Sequence, residues 1–257
     1  MIVPNFHRRP VPLDREQHLH TTLAVPWTDY SIVKTMNSVF VGGAEMHEAC
    51  HDFPLVFIRA GKTEDGREEY APIAVMGLTP GDNLYVEGTQ WRSRYDPLLL
   101  RTYPFAVARV DANRYAVCLD ADWPGVRPDG QGGGERVVDD AGEPTALTRS
   151  IQQPRGEFEA DVWRTRRAEA RLSELGLLRD MRFNGTLPNG QEIHVDGFLA
   201  VDEAKVRELP DATVVQLHRE GLFPLIHAHW FSLGHVRRLL DWHAQRIGAT
   251  APAPASS

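Results

Sequence analysis

The sequence predicts an α+β fold, in which antiparallel sheets are built from hairpins and helices are concentrated in the C-terminal half. In the first half, short runs rich in β-branched and aromatic residues recur between clusters of turn-forming residues, as in hairpins. In the second half, a stripe at steps of three and four runs from Phe158 to Leu175, which is typical of an amphipathic helix. Because strands and helices do not alternate, a Rossmann-like parallel sheet is not expected.

The first half is expected to consist mainly of strands. Pro54 ends a short helix, since the residue before a proline avoids helical backbone. The polar, glycine-punctuated run 61–69 and the turn Asp111–Arg114 each predict a hairpin. The elements expected in chain order are a helix over 43–52, strands over 55–58, 71–78 and 84–86, a helix over 94–103 interrupted at Pro97, strands over 105–110 and 115–119, and a loop over 121–135.

The second half is expected to be more helical. Gly176 stands where a C-capping glycine is favoured. Asp202 and Asp211 stand where an N-capping carboxylate is favoured. The elements expected in chain order are a helix over 158–175, a hairpin with strands over 181–187 and 191–195, helices starting at Asp202 and Asp211, and a helical segment over 222–247 broken near 232–234.

Length and the composition of the two ends predict the domain organisation. The 257 residues are enough for one large domain or two small ones, with a core of ordinary size. Both ends are rich in proline, and the C-terminal end is otherwise small and polar, as in disordered segments. We therefore predict an extended N-terminal arm over 1–13, a single domain over 14–248 and a disordered tail over 249–257.

Charge, cysteines and hydropathy restrict the class of protein. The net charge of -7 argues against nucleic acid as the main partner. Cys50 and Cys118 are far apart and lack metal-type spacing, which fits a reducing compartment. No secretory h-region is seen, and no apolar run approaches the roughly 18 residues of a membrane span. The sequence therefore predicts a cytoplasmic protein without a membrane span.

One short stretch matches the zinc motif H-E-x-x-H at His47, Glu48 and His51. In such a site two histidines one helical turn apart bind the metal, and the glutamate polarises a bound water. The helix before Pro54 is short, and no third-ligand pattern follows. The alternatives are a metal site and a short surface helix with two exposed histidines, and the length of the helix favours the second.

His229 falls on the apolar stripe of the last helical segment. A histidine there is either a hydrogen-bonded core residue or a functional imidazole. Its neighbour His227 does not share its face in a helix, so the pair is not expected to chelate a metal. No catalytic, phosphate-binding or cofactor-binding motif is recognised, and no cofactor is predicted.

The segment 83–105 concentrates arginines and aromatic residues between strands. These residue types are favoured at binding surfaces because they supply large contact areas and planar donor groups. The alternative is a rigid core-capping loop whose aromatic residues are buried. The candidate ligand-binding residues are Asn83, Trp91, Arg94, Tyr95, Arg101 and Tyr103, together with His229.

Short motifs in a fixed order from Val11 to Leu233 resemble those of the SapC family of bacterial proteins. The opening of this pattern is Val11-Pro-Leu-Asp14, and a later part is Gly77-Leu-Thr-Pro-Gly-Asp-Asn-Leu-Tyr-Val86. Each motif is modest alone, and their shared order makes the resemblance specific. The chain departs from the family pattern near 135–142. The further matching motifs are His18, Glu45 with Ala49, Phe53–Phe57, Trp91–Pro97, Arg101–Phe105, Val117–Asp120, Leu175–Leu178, Gly197–Glu203 and Ala228–Leu233.

The resemblance implies that His47 and His51 are not ligand positions and that His229 matches a family histidine. It implies little chemistry. The family name comes from a surface-array locus with a suggested link to a paracrystalline surface layer and serum resistance. Its members are often encoded beside TonB-dependent receptors, flavin-type halogenases and cupin-like oxygenases.

Three hypotheses of function follow. The first is a non-catalytic binding or accessory protein for a peptide, protein or small-molecule partner, with a link to TonB-receptor, halogenase or oxygenase loci implied by the resemblance. The second is an enzyme with a metal or histidine site, either at His47, Glu48 and His51 or at His229. The third is a structural protein associated with a surface layer.

Overall fold

The computed structural model describes residues 6–63, 65–109, 115–152 and 154–248. The strands are β1 Pro10–Pro12, β2 Thr22–Leu23, β3 Ser38–Phe40, β4 Leu55–Lys62, β5 Glu68–Val75, β6 Val86–Glu87, β7 Gln90–Trp91, β8 Phe105–Arg109, β9 Tyr115–Asp120, β10 Val126–Arg127, β11 Glu135–Arg136, β12 Leu178–Thr186 and β13 Glu192–Val201. The α-helices are α1 Met46–Ala49, α2 Leu98–Arg101, α3 Ala146–Gln152, α4 Pro154–Glu174, α5 Glu203–Arg207, α6 Asp211–Arg219, α7 Leu222–Ser232 and α8 Val236–Arg246. Short 3-10 helices cover Tyr30–Val33 and Leu233–His235. The predicted α+β class is confirmed.

The described residues cluster into two compact units. The first contains the described parts of Met1–Val33, Gly88–Gln90 and Leu98–Ala160, and the second contains those of Lys34–Glu87, Trp91–Pro97 and Asp161–Ser257. The single domain expected over 14–248 stays a prediction. The tail expected over 249–257 lies outside the described residues.

The second unit contains a five-stranded antiparallel sheet in the order β12-β13-β4-β5-β3. Its centre is apolar because Leu55–Phe57 of β4 and Leu199–Val201 of β13 are buried, and Leu199 pairs with Phe57. Helix α7 contacts both of these strands and buries Leu225 and Ile226. This packing confirms the expected hairpins β4–β5 and β12–β13 and places the core beside α7.

The first unit contains two three-stranded sheets, ordered β1-β9-β8 and β10-β2-β11. The end of the predicted N-terminal arm is extended and forms β1, which pairs with β9 from Pro10–Asp120 to Pro12–Cys118. The Asp120 carboxylate also accepts hydrogen bonds from the backbone N–H groups of Arg8 (3.0 Å) and Arg9 (2.8 Å). This part of the arm is therefore attached to the unit by backbone pairing.

The capping signals of the second half are partly confirmed. The Asp202 side chain accepts hydrogen bonds from the N–H groups of Ala204 and Lys205, as an N-cap does. Gly176 follows α4 with φ of 63°, the left-handed conformation that favours glycine. The cap of α6 is Pro210 instead of Asp211, which is the first helical residue. Asp211 still lies in the first turn, where a carboxylate interacts favourably with the helix dipole.

Several expectations for the first half differ from the structure. The helix expected over 43–52 is confined to α1, and the strand expected over 84–86 begins only at Val86. The helix expected over 94–103 is confined to Leu98–Arg101, because Pro97 precedes it and the Asp52 carboxylate binds the backbone N–H groups of Arg94 and Tyr95. The loop expected over 121–135 contains β10 and the first residue of β11, which pair with the two-residue strand β2. Strands of two residues leave too short a pattern to be detected from sequence.

Membrane spans were predicted to be absent. Among the described residues, no helix combines the length and the apolar composition that crossing a membrane requires.

Candidate functional site

Asp52 fixes the backbone of part of the segment that was predicted to bind a partner. Its Oδ2 accepts hydrogen bonds from the Ser93 hydroxyl (2.9 Å) and from the backbone N–H groups of Arg94 (3.2 Å) and Tyr95 (3.0 Å). Hydrogen bonds to an ionised carboxylate are stronger than neutral ones. Residues 91–95, which we call the anchored loop, are therefore held in one conformation.

Aromatic rings pack against the anchored loop. Trp91 is half-buried, and its ring centroid lies 5.7 Å from that of Tyr85 and 6.1 Å from that of Phe53. The Trp91 indole N–H donates to the carbonyl of Tyr95 at 3.3 Å, which connects the two ends of the loop. The ring is thus positioned by packing and a hydrogen bond while part of it remains exposed.

Helix α8 contributes two residues that sequence analysis did not include. The guanidinium groups of Arg92 and Arg238 lie 4.1 Å and 5.1 Å from the ring centroid of Trp242, within cation–π range. Arg238 also donates to the carbonyl of Asp52, as does the hydroxyl of Tyr85 at 2.5 Å. The signal that could have found them is their i,i+4 spacing, which places Arg238 and Trp242 on one face of a helix.

Arg94 is the exposed charged residue of the anchored loop. Its backbone N–H is bound by Asp52, whereas its guanidinium forms no hydrogen bond or ion pair within the part of the chain that the structure describes. The next residue, Tyr95, is half-buried and donates its hydroxyl to Glu45 Oε1 at 2.7 Å. The loop therefore combines a fixed backbone with an unpaired cationic group.

Asn83 is buried and forms part of the structure beneath the loop. Its Oδ1 accepts a hydrogen bond from the backbone N–H of Tyr85 at 3.0 Å, and its Nδ2 lies 3.8 Å from the sulfur of Met76. Asn83 is thus placed to stabilise the turn that precedes β6.

Two other predicted binding residues, Arg101 and Tyr103, belong to the first compact unit, whereas the anchored loop belongs to the second. Arg101 is exposed. Tyr103 is buried and donates its hydroxyl to Asp120 Oδ2 at 2.9 Å. Burial, together with the neighbouring Asp120 carboxylate, raises the pKa of the Tyr103 phenol, so it remains a neutral donor.

His229 is fully buried, and backbone groups engage both of its ring nitrogens. Nε2 accepts the N–H of Val201 at 3.1 Å, so the proton is on Nδ1, which donates to the carbonyl of Leu55 at 2.7 Å. Burial lowers the pKa of the imidazole to about 4, and the Arg179 charge acts in the same direction. This geometry favours the core alternative for His229, in which the neutral imidazole connects β4 and β13 to α7.

The H-E-x-x-H stretch lies on exposed surface. Helix α1 ends at Ala49, so His51 lies beyond the helix that was expected to align it with His47. His47 Nδ1 is 2.7 Å from the carbonyl of Ala44, and its Nε2 is 3.4 Å from Glu48 Oε1. No three His, Cys, Asp or Glu side chains among the described residues are grouped so that they could hold a metal ion. The geometry favours the alternative of an exposed short helix.

Replacing Asp52 by alanine is expected to loosen the anchored loop. Three donors lose a carboxylate acceptor, although the Ser93 hydroxyl and the N–H of Tyr95 each have a second acceptor within the loop. The loss corresponds to about 1–2 kcal/mol of unfolding free energy for a half-buried group. Urea denaturation measures this loss, and hydrogen exchange is expected to accelerate at the amides of Arg94 and Tyr95. The matched control is Asp241→Ala on exposed α8 surface, which should change stability by no more than about 0.5 kcal/mol. Equal amide protection in D52A and the unmodified protein would contradict the anchoring role.

The chain was compared with family models, curated proteins and solved structures. The family model described as SapC matches residues 13–239, which is most of the chain. No curated protein and no solved structure matches the sequence.

Proposed function

The chain belongs to the SapC family, and from this premise we propose that it is a non-catalytic binding or accessory protein of the cytoplasm. In this proposal the anchored loop holds an acidic peptide segment of a partner protein. The contacting residues are Arg94, with Trp91 and Tyr95 on either side of it in the loop.

The observation that carries the proposal is the state of Arg94. Its guanidinium is exposed and forms no hydrogen bond or ion pair within the described residues, so it is available to a partner. Its backbone is nevertheless fixed by Asp52. Because the backbone of the anchored loop is ordered before binding, the loop loses less conformational entropy when a partner docks, and that raises affinity.

The chemistry of the loop indicates an acidic peptide. A guanidinium binds a carboxylate through two parallel N–H donors, which gives geometric specificity as well as attraction. The half-buried ring of Trp91 adds apolar contact area at small entropic cost, since it is already packed against Tyr85 and Phe53. Peptides that bind the anchored loop are therefore expected to carry a carboxylate next to an apolar side chain.

A displayed library of random peptides tests this proposal, because selection from it does not require that the natural partner be identified first. The purified protein is expected to enrich clones that carry Asp or Glu beside an apolar residue. Arg94→Ala should lower the affinity for the selected peptide by at least about tenfold, which is the effect of a typical interface hot spot.

The matched control is Arg219→Ala, since Arg219 is an exposed arginine of α6 outside the anchored loop. This variant should bind the selected peptide with unchanged affinity. Failure to enrich any acidic sequence, or equal weakening by both variants, would refute the proposal.

A further inference from the structure

A cleft in the second unit lies beside α4, and none of the predicted binding residues line it. Its volume is about 470 Å³, and residues from the β4–β5 hairpin and from α4 line it. Trp163 of α4 is 58% exposed, which is unusual for so large an apolar side chain. A pocket of this size with an aromatic wall is typical of a site for a small organic ligand.

Glu169 lines the same cleft and lacks a hydrogen-bond partner for one oxygen. The residue is only 3% exposed, and Oε1 is buried without any donor among the described residues. Buried polar atoms in folded proteins are nearly always hydrogen-bonded, because burial removes their hydrogen bonds to water and an unpaired atom has no bond that offsets this cost. An acceptor without a partner in the wall of a cleft therefore indicates that a bound ligand supplies the donor.

A second carboxylate, Glu69, also lines the cleft and acts electrostatically on Glu169. Two carboxylates that face one space attract a cation more strongly than either does alone. We propose that the cleft binds an organic primary ammonium group, which donates to Glu169 Oε1 and is attracted by Glu69. Its carbon chain lies along Trp163, whose exposed ring adds apolar contact.

Three arginines line the cleft as well, and two of them are engaged. The Arg67 Nε lies 2.8 Å from the Asp65 carboxylate, and the Arg167 guanidinium lies 4.8 Å from the ring centroid of Trp163. Arg166 is the cation that acts directly on Glu169. Two further carboxylates, Glu68 and Glu174, line the cleft and lie 3.2 Å from Lys62 and 3.4 Å from Arg171. A ligand ammonium therefore meets the positive charge of Arg166 and the carboxyl groups of Glu169 and Glu69.

Binding of an ammonium is linked to release of a proton. Burial raises the pKa of Glu169 to about 8, with Arg166 lowering it and Glu69 raising it, so the carboxyl is mostly protonated at pH 7. An ammonium bound at Oε1 favours the ionised form. Each ligand bound at pH 7 should therefore displace about one proton from the cleft.

Isothermal titration calorimetry with n-butylammonium and with 1,5-diaminopentane tests the proposal. Titrations at pH 7 in two buffers with different ionisation enthalpies count the protons released. The protein is expected to bind both amines with release of about one proton, and the neutral analogue n-butanol at least tenfold more weakly. Glu169→Gln, which resembles the protonated acid in shape, should bind the amines at least tenfold more weakly and release no proton.

The matched control is Glu48→Gln, on exposed surface away from the cleft, which should behave like the unmodified protein. The proposal is overturned if neither amine binds the unmodified protein. It is equally overturned if E169Q binds the amines as tightly, or if n-butanol binds as tightly as n-butylammonium. The proposal is independent of the anchored loop, so peptide selection and amine titration can fail separately.

Discussion

Replacing His229 by leucine is expected to destabilise the protein by about 3–5 kcal/mol. The imidazole joins the carbonyl of Leu55 to the N–H of Val201. Leucine would leave the N–H of Val201 buried without this acceptor and the carbonyl of Leu55 with only a long contact of 3.5 Å to the Ser232 hydroxyl. Urea denaturation at pH 7.5 measures the effect. The matched control is His218→Leu on exposed α6 surface, which should shift stability by about 0.5 kcal/mol or less.

The burial of neutral His229 also predicts that part of the unfolding free energy is lost at acidic pH. Its folded pKa of about 4 lies below the ordinary value of 6.5. The neutral imidazole therefore contributes fully above pH 6.5, and its contribution is lost as the pH falls through 4. The loss amounts to about 3 kcal/mol, since one pKa unit corresponds to about 1.4 kcal/mol. The difference in stability between H229L and the unmodified protein should therefore shrink between pH 6.5 and pH 4. A difference that is the same at both pH values would contradict the buried neutral state.

Replacing Glu169 by glutamine is expected to stabilise the protein at alkaline pH. The folded pKa of about 8 lies above the ordinary value of 4.5, so the protonated acid is fully stabilising below pH 4.5, and this contribution is lost as the pH rises through 8. Glutamine cannot ionise, so E169Q keeps its stability where the glutamate must bury a charge.

Urea denaturation of E169Q and of the unmodified protein measures this difference. At pH 5 the two should unfold with nearly equal free energies. At pH 9 the variant should be more stable by about 3–5 kcal/mol. The control Glu48→Gln should follow the unmodified protein at both pH values. If E169Q and the unmodified protein decline in parallel from pH 5 to pH 9, Glu169 ionises as freely as an exposed glutamate.

Features with local signals could be predicted from the sequence. The hairpin β12–β13 follows from the Pro188–Gly190 turn, and its register begins where Leu187 and Gln191 form a backbone hydrogen bond of 2.8 Å. The cap at Asp202 and the left-handed Gly176 are likewise decided within a few residues of chain. Each of these features requires only short-range chemistry.

The anchored loop could be predicted only in part. Its arginine and aromatic residues were visible as a composition, but their arrangement depends on Asp52, which lies 41 residues before Ser93 in the chain. No local sequence pattern indicates a hydrogen bond between residues so far apart in the chain. The same holds for Tyr103, which was grouped with Trp91 by sequence proximity although the chain enters the other compact unit between them.

The cleft beside α4 carried a signal that sequence analysis could have used. Glu169 lies four residues after Thr165 and three before Leu172, both of which are buried members of the predicted stripe. An ionisable residue at such a position is expected to face the interior unless the helix rotates. A glutamate inside an apolar stripe is thus a reason to look for a buried carboxyl group.

The most direct test of the central claim is a nuclear magnetic resonance titration of the protein with a peptide enriched by selection. We predict that the largest chemical-shift changes occur at the backbone amides of residues 91–95 and at the Trp91 indole N–H. We also predict that R94A abolishes these changes at the same peptide concentration. If the peptide binds while these signals stay unchanged, and the perturbed residues lie elsewhere, the anchored loop is not the binding surface.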